Sequence, residues 1–397
     1  MKIESLMVLA IGVLMLATLT AECGIAAPQP PDLGSRIADR ADLADLNLTC
    51  LNLSGKHLNQ SDLCGADLSG CDLSGAYLRS AWLTNSRLQG TKMIKADLTG
   101  AILDGADLSG SDLSQAILAD SKMSYINLNN AIMEKTDLTE ADLSDANLND
   151  ADLTDARLFR TDLSGSNLKG IYLISANLIG AHVSWADMSE SYLSRGQFSR
   201  AELYNTDLHA ADLSEADFTR AYLMGANLTG ANLKGTSLSY ADLTEAKLMG
   251  ASLNSAKMPY ADLTRSNLTG ADLSDADLNS ARLAGAVLRK IKLDRVRLCE
   301  MDMRGADLID SSLRGSSLAL VYLTNARMSG TDLRDATFDR VEMTGADLTG
   351  ANLERVKYDQ FTLFSLSEAR LDGAKISDNL KADLSQIRED EKPTATA

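Results

Sequence analysis

The sequence predicts an all-β solenoid, a chain that coils about one continuous aliphatic axis. Three observations carry that prediction: an apolar residue at every fifth position, a small residue two places before it, and turn-forming residues after it. From Ala41 the chain reads ADLAD, LNLTC, LNLSG, KHLNQ, SDLCG and onward without a break in frame. The central position runs from Leu43 to Leu363, 65 places, and every one is apolar. Most are leucine; Met93, Met258, Phe198, Phe218, Val183 and Tyr358 are among the substitutes. In an α-helix five residues advance about 500°, so successive leucines would spiral around the axis rather than form one stripe. In an unbroken strand an odd spacing would send alternate leucines to opposite faces. A short extended stretch followed by a turn in every block satisfies the pattern, because each leucine is then re-aimed at a common axis.

Taken from the N-terminus, residues 1–27 read as a signal peptide or N-terminal membrane anchor. Lys2 precedes an uncharged apolar run from Leu6 to Ala21, and Gly24 and Ala26 place small residues three and one before a cut that would leave Ala27 first. The run over residues 6–21 is shorter than the roughly 18–20 apolar residues of a spanning helix, and Glu4 weakens the positive start, so a tether through an uncleaved segment stays open. Residues 28–40 read as a linker and N-terminal cap, with Pro30, Pro31 and Asp32 leading into Leu33 and Ile37. The repeat occupies 41–365. Over 366–390 the frame shifts, with irregular repeats from Ala369 to Ile376, and then Ile376, Leu380, Leu384 and Ile387 take helical spacing behind Ser377 and Asp378 as N-cap candidates. A capping helix is expected across about 377–389, followed by a disordered tail over 391–397.

Within a block, the small residue and the leucine share a face, while the Asp or Asn between them points outward. Ser, Thr or Gly after the leucine supplies the turn. Stacked coils pair their backbone groups and bury a ladder of Leu and Ala. The tandem A-[D/N]-L-[S/T]-x pattern resembles the pentapeptide-repeat proteins over about residues 41–365. That resemblance implies a right-handed quadrilateral β-helix with four blocks per coil, so residues 20 apart become vertical neighbours. It implies about 16 coils, which at ~4.8 Å between strands make a rod of roughly 75 Å.

The formal net charge is −17, which argues against a nucleic-acid backbone or an anionic membrane surface as the main partner. The five cysteines, Cys23, Cys50, Cys64, Cys71 and Cys299, form no CxxC pair. Cys50, Cys64 and Cys71 fall in neighbouring coils, where an oxidising compartment permits a disulfide. His57, His182 and His209 share no column. Asp and Ser recur because the repeat demands them, so no catalytic triad stands out, and no phosphate-binding glycine loop is present. No catalytic residue, cofactor, small-molecule substrate or metal is expected. The Asp142/Asp162 and Asp242/Asp262 columns repel by about 1 kcal/mol in water, which a surface tolerates without a cation.

Two kinds of surface feature are candidate partner sites. The segment 289–298 holds Arg289, Lys290, Lys292, Arg295 and Arg297 against one acid, and it replaces the small inward residue by Ile291 and Val296, which widens the coil locally. Its counterpoise is 136–155, with seven acids and no base. Under the four-block coil, Trp82 stacks with Ile102, Tyr240 with Tyr260 and Tyr172 with Tyr192, either as contact spots or as ordinary cross-strand packing. Family members that bind gyrase dimerise through a C-terminal helical element, so the resemblance also admits a homodimer there.

The reading that follows is a non-enzymatic, extracytoplasmic solenoid that serves as a structural or protein-interaction scaffold. The alternative implied by the family is mimicry of duplex DNA to inhibit or protect a type II topoisomerase. Duplex DNA carries one charge per ~1.7 Å, roughly 44 over ~75 Å. The chain keeps only about −16 once Lys2, Glu4 and Glu22 leave with the leader, so it is a weak mimic.

Overall fold

The computed structural model describes residues 36–390. The leader, most of the linker and the tail lie outside the described residues. The chain divides into two compact units, one ending at Tyr192 and one beginning at Leu193, and the same local rule builds both.

In the first unit, parallel bridges join residues 20 apart, from Asp42 with Asp62 to Tyr172 with Tyr192. Four five-residue sides therefore close one coil. Each side is held by a repeated pair of bonds: Leu43 N–H donates to the Asp62 carbonyl at 2.8 Å, and Asp62 N–H donates to the Ala41 carbonyl at 2.8 Å. The corner is closed within the side, as where Ala66 N–H donates to the Leu63 carbonyl at 3.1 Å. The last residue of each block then takes a left-handed conformation, φ 66° at Gly65 and 57° at Asp45. Gly, Asn and Asp bear that conformation at low cost, which accounts for their frequency there.

The outward Asp or Asn has a specific task. Asp67 Oδ1 accepts both the N–H of Ser69 at 3.1 Å and its hydroxyl at 2.7 Å, so the side chain ties down the turn that follows it. Inside, Leu63, Leu68 and Ala66 are fully buried. Where Ser or Thr takes the small inward place, its hydroxyl finds a carbonyl: Ser86 donates to Leu83 at 2.7 Å, and Thr136 reaches Leu113 in the coil before at 2.9 Å. The interior thus stays satisfied.

The second unit repeats this register from Gln197 with Asp217 to Thr337 with Lys357. Phe198 and Phe218 stack in its interior, with ring centroids 4.5 Å apart. Gly196 makes room for them, since a Cβ there would come within 2.6 Å of the Phe198 ring. Further along, three consecutive coils contribute short parallel strands, β1 (Arg297–Cys299), β2 (Ser317–Ala319) and β3 (Thr337–Asp339), in register at the same interval of 20.

At the C-terminal end the structure departs from the five-residue frame. The frame stays apolar at Tyr358 and Leu363, yet the chain forms a helix, α1 (Gln360–Ser367), capped by Asp359, which accepts from Thr362 N–H. The repeat therefore ends short of 365. Helix α1 does the work of another coil: Thr362 Oγ1 accepts the N–H of Val341 at 3.0 Å, and Ser365 Oγ accepts that of Met343. The ladder then resumes three residues late, with Asp347 bridged to Arg370 and β4 (Asn352–Leu353) paired to β5 (Lys375–Ile376). Helix α2 (Asp378–Asp390) follows where the spacing predicts it. It buries Leu380 and Leu384, and its Asp383 accepts the Tyr358 hydroxyl at 2.6 Å. Burial and that carboxylate push the phenol up to about 12.

The cysteines do not form the disulfide considered for 50–71. Cys50 is disulfide-bonded, but Cys64, Cys71 and Cys299 are free. Cys71 occupies the small inward place and donates to the Leu48 carbonyl at 2.9 Å, out of reach of any outward sulfur. Burial pushes its thiol up to about 11.

Candidate functional site

The basic segment does not converge. Arg289 and Lys290 stand at one corner, Lys292 on the next side, Arg295 at the next corner with φ 60°, and Arg297 in β1 on the side beyond. Arg289 is engaged, since its Nε donates to Asp307 Oδ2 at 2.7 Å, and Arg327 binds the same carboxylate oxygen at 2.9 Å. Asp307 is buried, so this is a structural cluster that neutralises an inward-drawn carboxylate. Lys292 is bridged to Asp272 in the coil before.

Trp82 is half-exposed and bridged between Asp62 and Ile102. Neither of those two column neighbours is aromatic. His57 stacks on Tyr77 with centroids 4.7 Å apart, and His209 Nδ1 lies 2.9 Å from the Thr229 carbonyl. Among the described residues no group of three His, Cys, Asp or Glu side chains is placed to hold a metal ion, and no helix is long and apolar enough to cross a membrane.

Tyr240 and Tyr260 belong to a larger array. Their rings stack at 4.8 Å with 8° between planes, and Arg220 places its guanidinium 5.6 Å from the Tyr240 centroid. All three occupy left-handed corners, φ 59–61°. Two residues beyond Tyr240 is Asp242, whose partner in the coil before is Tyr222. Tyr222 stacks on Tyr204 at 5.8 Å, and Met224 lies just beyond it. Tyr222, Met224, Tyr240 and Tyr260 are between 41% and 54% exposed, a concentration of large apolar side chains on one side and one corner of the second unit. Single exposed apolar residues need no explanation; a contiguous set rimmed by charge does. The sequence pointed to Tyr240 and Tyr260 because they share a column. It did not point to Arg220, which shares that column without being aromatic, or to Tyr204, Tyr222 and Met224, which hold other places in the five-residue frame and join only when neighbouring columns are read together.

The family model "Pentapeptide repeats (8 copies)" matches in segments spread from residue 41 to 355. The chain belongs to the pentapeptide repeat family, and its fold is the right-handed quadrilateral β-helix. Among solved structures it is similar to HetL, a pentapeptide repeat protein involved in heterocyst differentiation regulation from Nostoc sp. strain PCC 7120. The identity is 33% over 63% of this chain and 93% of that one, with a TM-score of 0.38. Full-length QnrB1, a plasmid-mediated fluoroquinolone resistance protein, matches at 18% identity over 55% of this chain and 96% of its own, with a TM-score of 0.29. A pentapeptide repeat protein of the Arabidopsis thaliana thylakoid lumen matches at 23% identity over 41% of this chain and 90% of its own, with a TM-score of 0.18. A search of curated proteins returned no match.

Proposed function

We propose that this protein is a non-enzymatic scaffold that binds another protein through the face carrying Arg220, Tyr222, Met224, Tyr240 and Tyr260. The observation that carries the reading is the stacked, half-exposed tyrosine pair with a guanidinium over it. Tyrosine and arginine are enriched where binding energy concentrates, and rings already ordered by stacking lose little freedom on docking. The test is partner capture by cross-linking with the intact chain, the Tyr240→Ala/Tyr260→Ala variant, and Lys290→Ala/Lys292→Ala as a control. The aromatic variant should keep its thermal midpoint and lose at least about tenfold in capture, while the control keeps both. Equal capture by all three would remove the face from consideration.

The scaffold is proposed to work outside the cytoplasm. The layout of residues 1–27 supports this, with its apolar run and the small residues Gly24 and Ala26 before a cut. Mass spectrometry of the mature protein should find Ala27 at its start; an uncleaved, membrane-associated product would indicate a tether through residues 6–21. Topoisomerase binding by DNA mimicry is the less favoured reading. Residues 281–357 hold 13 bases against 11 acids, and the column Arg297, Ser317, Thr337, Lys357 has no acid at all, unlike the even charge of a duplex. A homodimer at the C-terminal end would meet α1, whose Phe361 and Phe364 are exposed, since Leu380 and Leu384 of α2 are already buried.

A further inference from the structure

The column that holds the tyrosine pair runs on past it. Arg220, Tyr240, Tyr260, Ser280 and Glu300 follow one another at intervals of 20, and all five take the same left-handed corner, φ 54–61°. Backbone bonds carry the register through them: Tyr240 N–H donates to the Pro259 carbonyl, Tyr260 N–H to Asn279 and Ser280 N–H to Cys299, each at 3.0 Å. On the adjoining side Asp262 is bridged to Arg282, and Arg282 to Asp302. Five side chains therefore leave the same corner of five successive coils, ~4.8 Å apart.

The two rings are not covered alike. Tyr240 has the Arg220 guanidinium 5.6 Å from its centroid on the side of the earlier coil and the Tyr260 ring at 4.8 Å on the side of the later one. Tyr260 has Tyr240 on one face, and at the corner beyond its other face stands Ser280. That side chain ends one atom past Cβ, too short to lie over a ring, and its hydroxyl donates to Glu300 Oε2 at 3.4 Å, toward the later coil and away from the tyrosine. Tyr260 is 54% exposed and Glu300 is exposed. Two coil steps, ~9.6 Å, separate the corner of Tyr260 from that of Glu300. A serine at the middle step leaves room for one flat layer at the spacing the stack already uses.

The chemistry of that gap is selective. The face of an aromatic ring attracts a cation, and a planar guanidinium also stacks on it. Glu300 on the opposite side supplies the counter-charge in a charge-assisted hydrogen bond. An ammonium, compact and strongly hydrated, gains less from the ring. Arg282, two places beyond Ser280, is held by Asp262 at 2.9 Å on the adjoining side.

The geometry points to an arginine socket formed by Tyr260, Ser280 and Glu300. An arginine side chain of the partner protein enters over Ser280, stacks on the outer face of Tyr260 and meets Glu300, as Arg220 caps Tyr240 at the other end of the stack. The socket rests on the reading of the aromatic face as a partner site and names what the partner must bring to it.

Nα-acetylarginine amide is the probe, read through the ring signals of Tyr260 in the tyrosine-labelled full chain, assigned with Tyr260→Phe. It should shift Tyr260 and leave Tyr172 in place, and Nα-acetyllysine amide should bind at least ~threefold more weakly. Glu300→Gln should weaken the arginine probe by at least ~threefold. Ser280→Arg fills the socket from within. Arginine already occupies this corner at Arg200, Arg220 and Arg340, so the variant should fold, show a displaced Tyr260 signal with no probe present and give no further response. An unmoved Tyr260 across the titration, equal binding of the lysine probe, or a full response in Ser280→Arg would overturn the proposal. Partner capture separates the socket from the face that holds it. Ser280→Arg should lose capture at least about tenfold with both tyrosines intact. Capture lost in Tyr240→Ala/Tyr260→Ala but kept in Ser280→Arg would overturn the socket and leave the face; capture indifferent to both would remove the face itself.

Discussion

Two residues show how closely the repeat is constrained. Gly196 takes a place that alanine fills in most blocks, and the Phe198 ring explains why. Gly196→Ala should cost about 1–3 kcal/mol in denaturant unfolding, the scale of an overpacked core; Gly230→Ala, with open space around its Cβ position, should show only the strain of its left-handed corner. Asp347 shows the turn chemistry in its pH dependence. Its carboxylate accepts the Thr349 hydroxyl and N–H, and these two bonds hold it below the usual carboxylate range. A carboxyl lowered by folding contributes stability above its unfolded value near 4 and loses it as the pH falls through the folded value. Asp72 and Asp272 are held down the same way by Ser74 and Ser274, so stability should be level from neutrality to about pH 5 and fall below about pH 4. Thr349→Val should raise the Asp347 midpoint in an NMR titration. An unmoved midpoint would mean the hydroxyl bond is absent in solution.

Among the elements, α1 is the instructive departure. Its sequence QFTLFSLS is apolar on every side, and Tyr358 and Leu363 keep the five-residue frame alive through it, so nothing in the pattern separates a helix from one more coil. What selects the helix is the end of the stack: Val341 and Met343 need acceptors, and Thr362 and Ser365 supply hydroxyls from a helix where a strand would supply carbonyls. Thr362→Val/Ser365→Ala leaves two buried N–H groups unpaired, each worth about 1–3 kcal/mol, and should lower the denaturation midpoint more than Gln360→Ala at an exposed position of the same helix. Helix α2 was legible because Leu380 and Leu384 carry an amphipathic period behind a serine. The basic segment 289–298 was legible as a charge run, but its separation onto two sides and two corners was not. That separation depends on the number of blocks per coil, which composition and spacing leave undetermined and the family resemblance supplies.

For the molecule as a whole, everything functional follows from the interval of 20. It brings Arg220, Tyr240 and Tyr260 into one column, sets Tyr222 beside them, and carries that column on to Ser280 and Glu300. Charge follows the same geometry: the first unit gathers acids, as in 136–155, whereas 281–357 is nearly balanced, so the surface differs along the chain although the interior does not. The most direct test of that interval is disulfide trapping at the proposed face. Tyr240→Cys/Tyr260→Cys should close rapidly under mild oxidation, because adjacent parallel strands lie ~4.8 Å apart, within the reach of a disulfide. Tyr240→Cys/Glu245→Cys, one full side apart on the same coil, should remain reduced under the same conditions. Closure of the second pair in preference to the first would contradict the four-sided coil and dissolve the aromatic face with it.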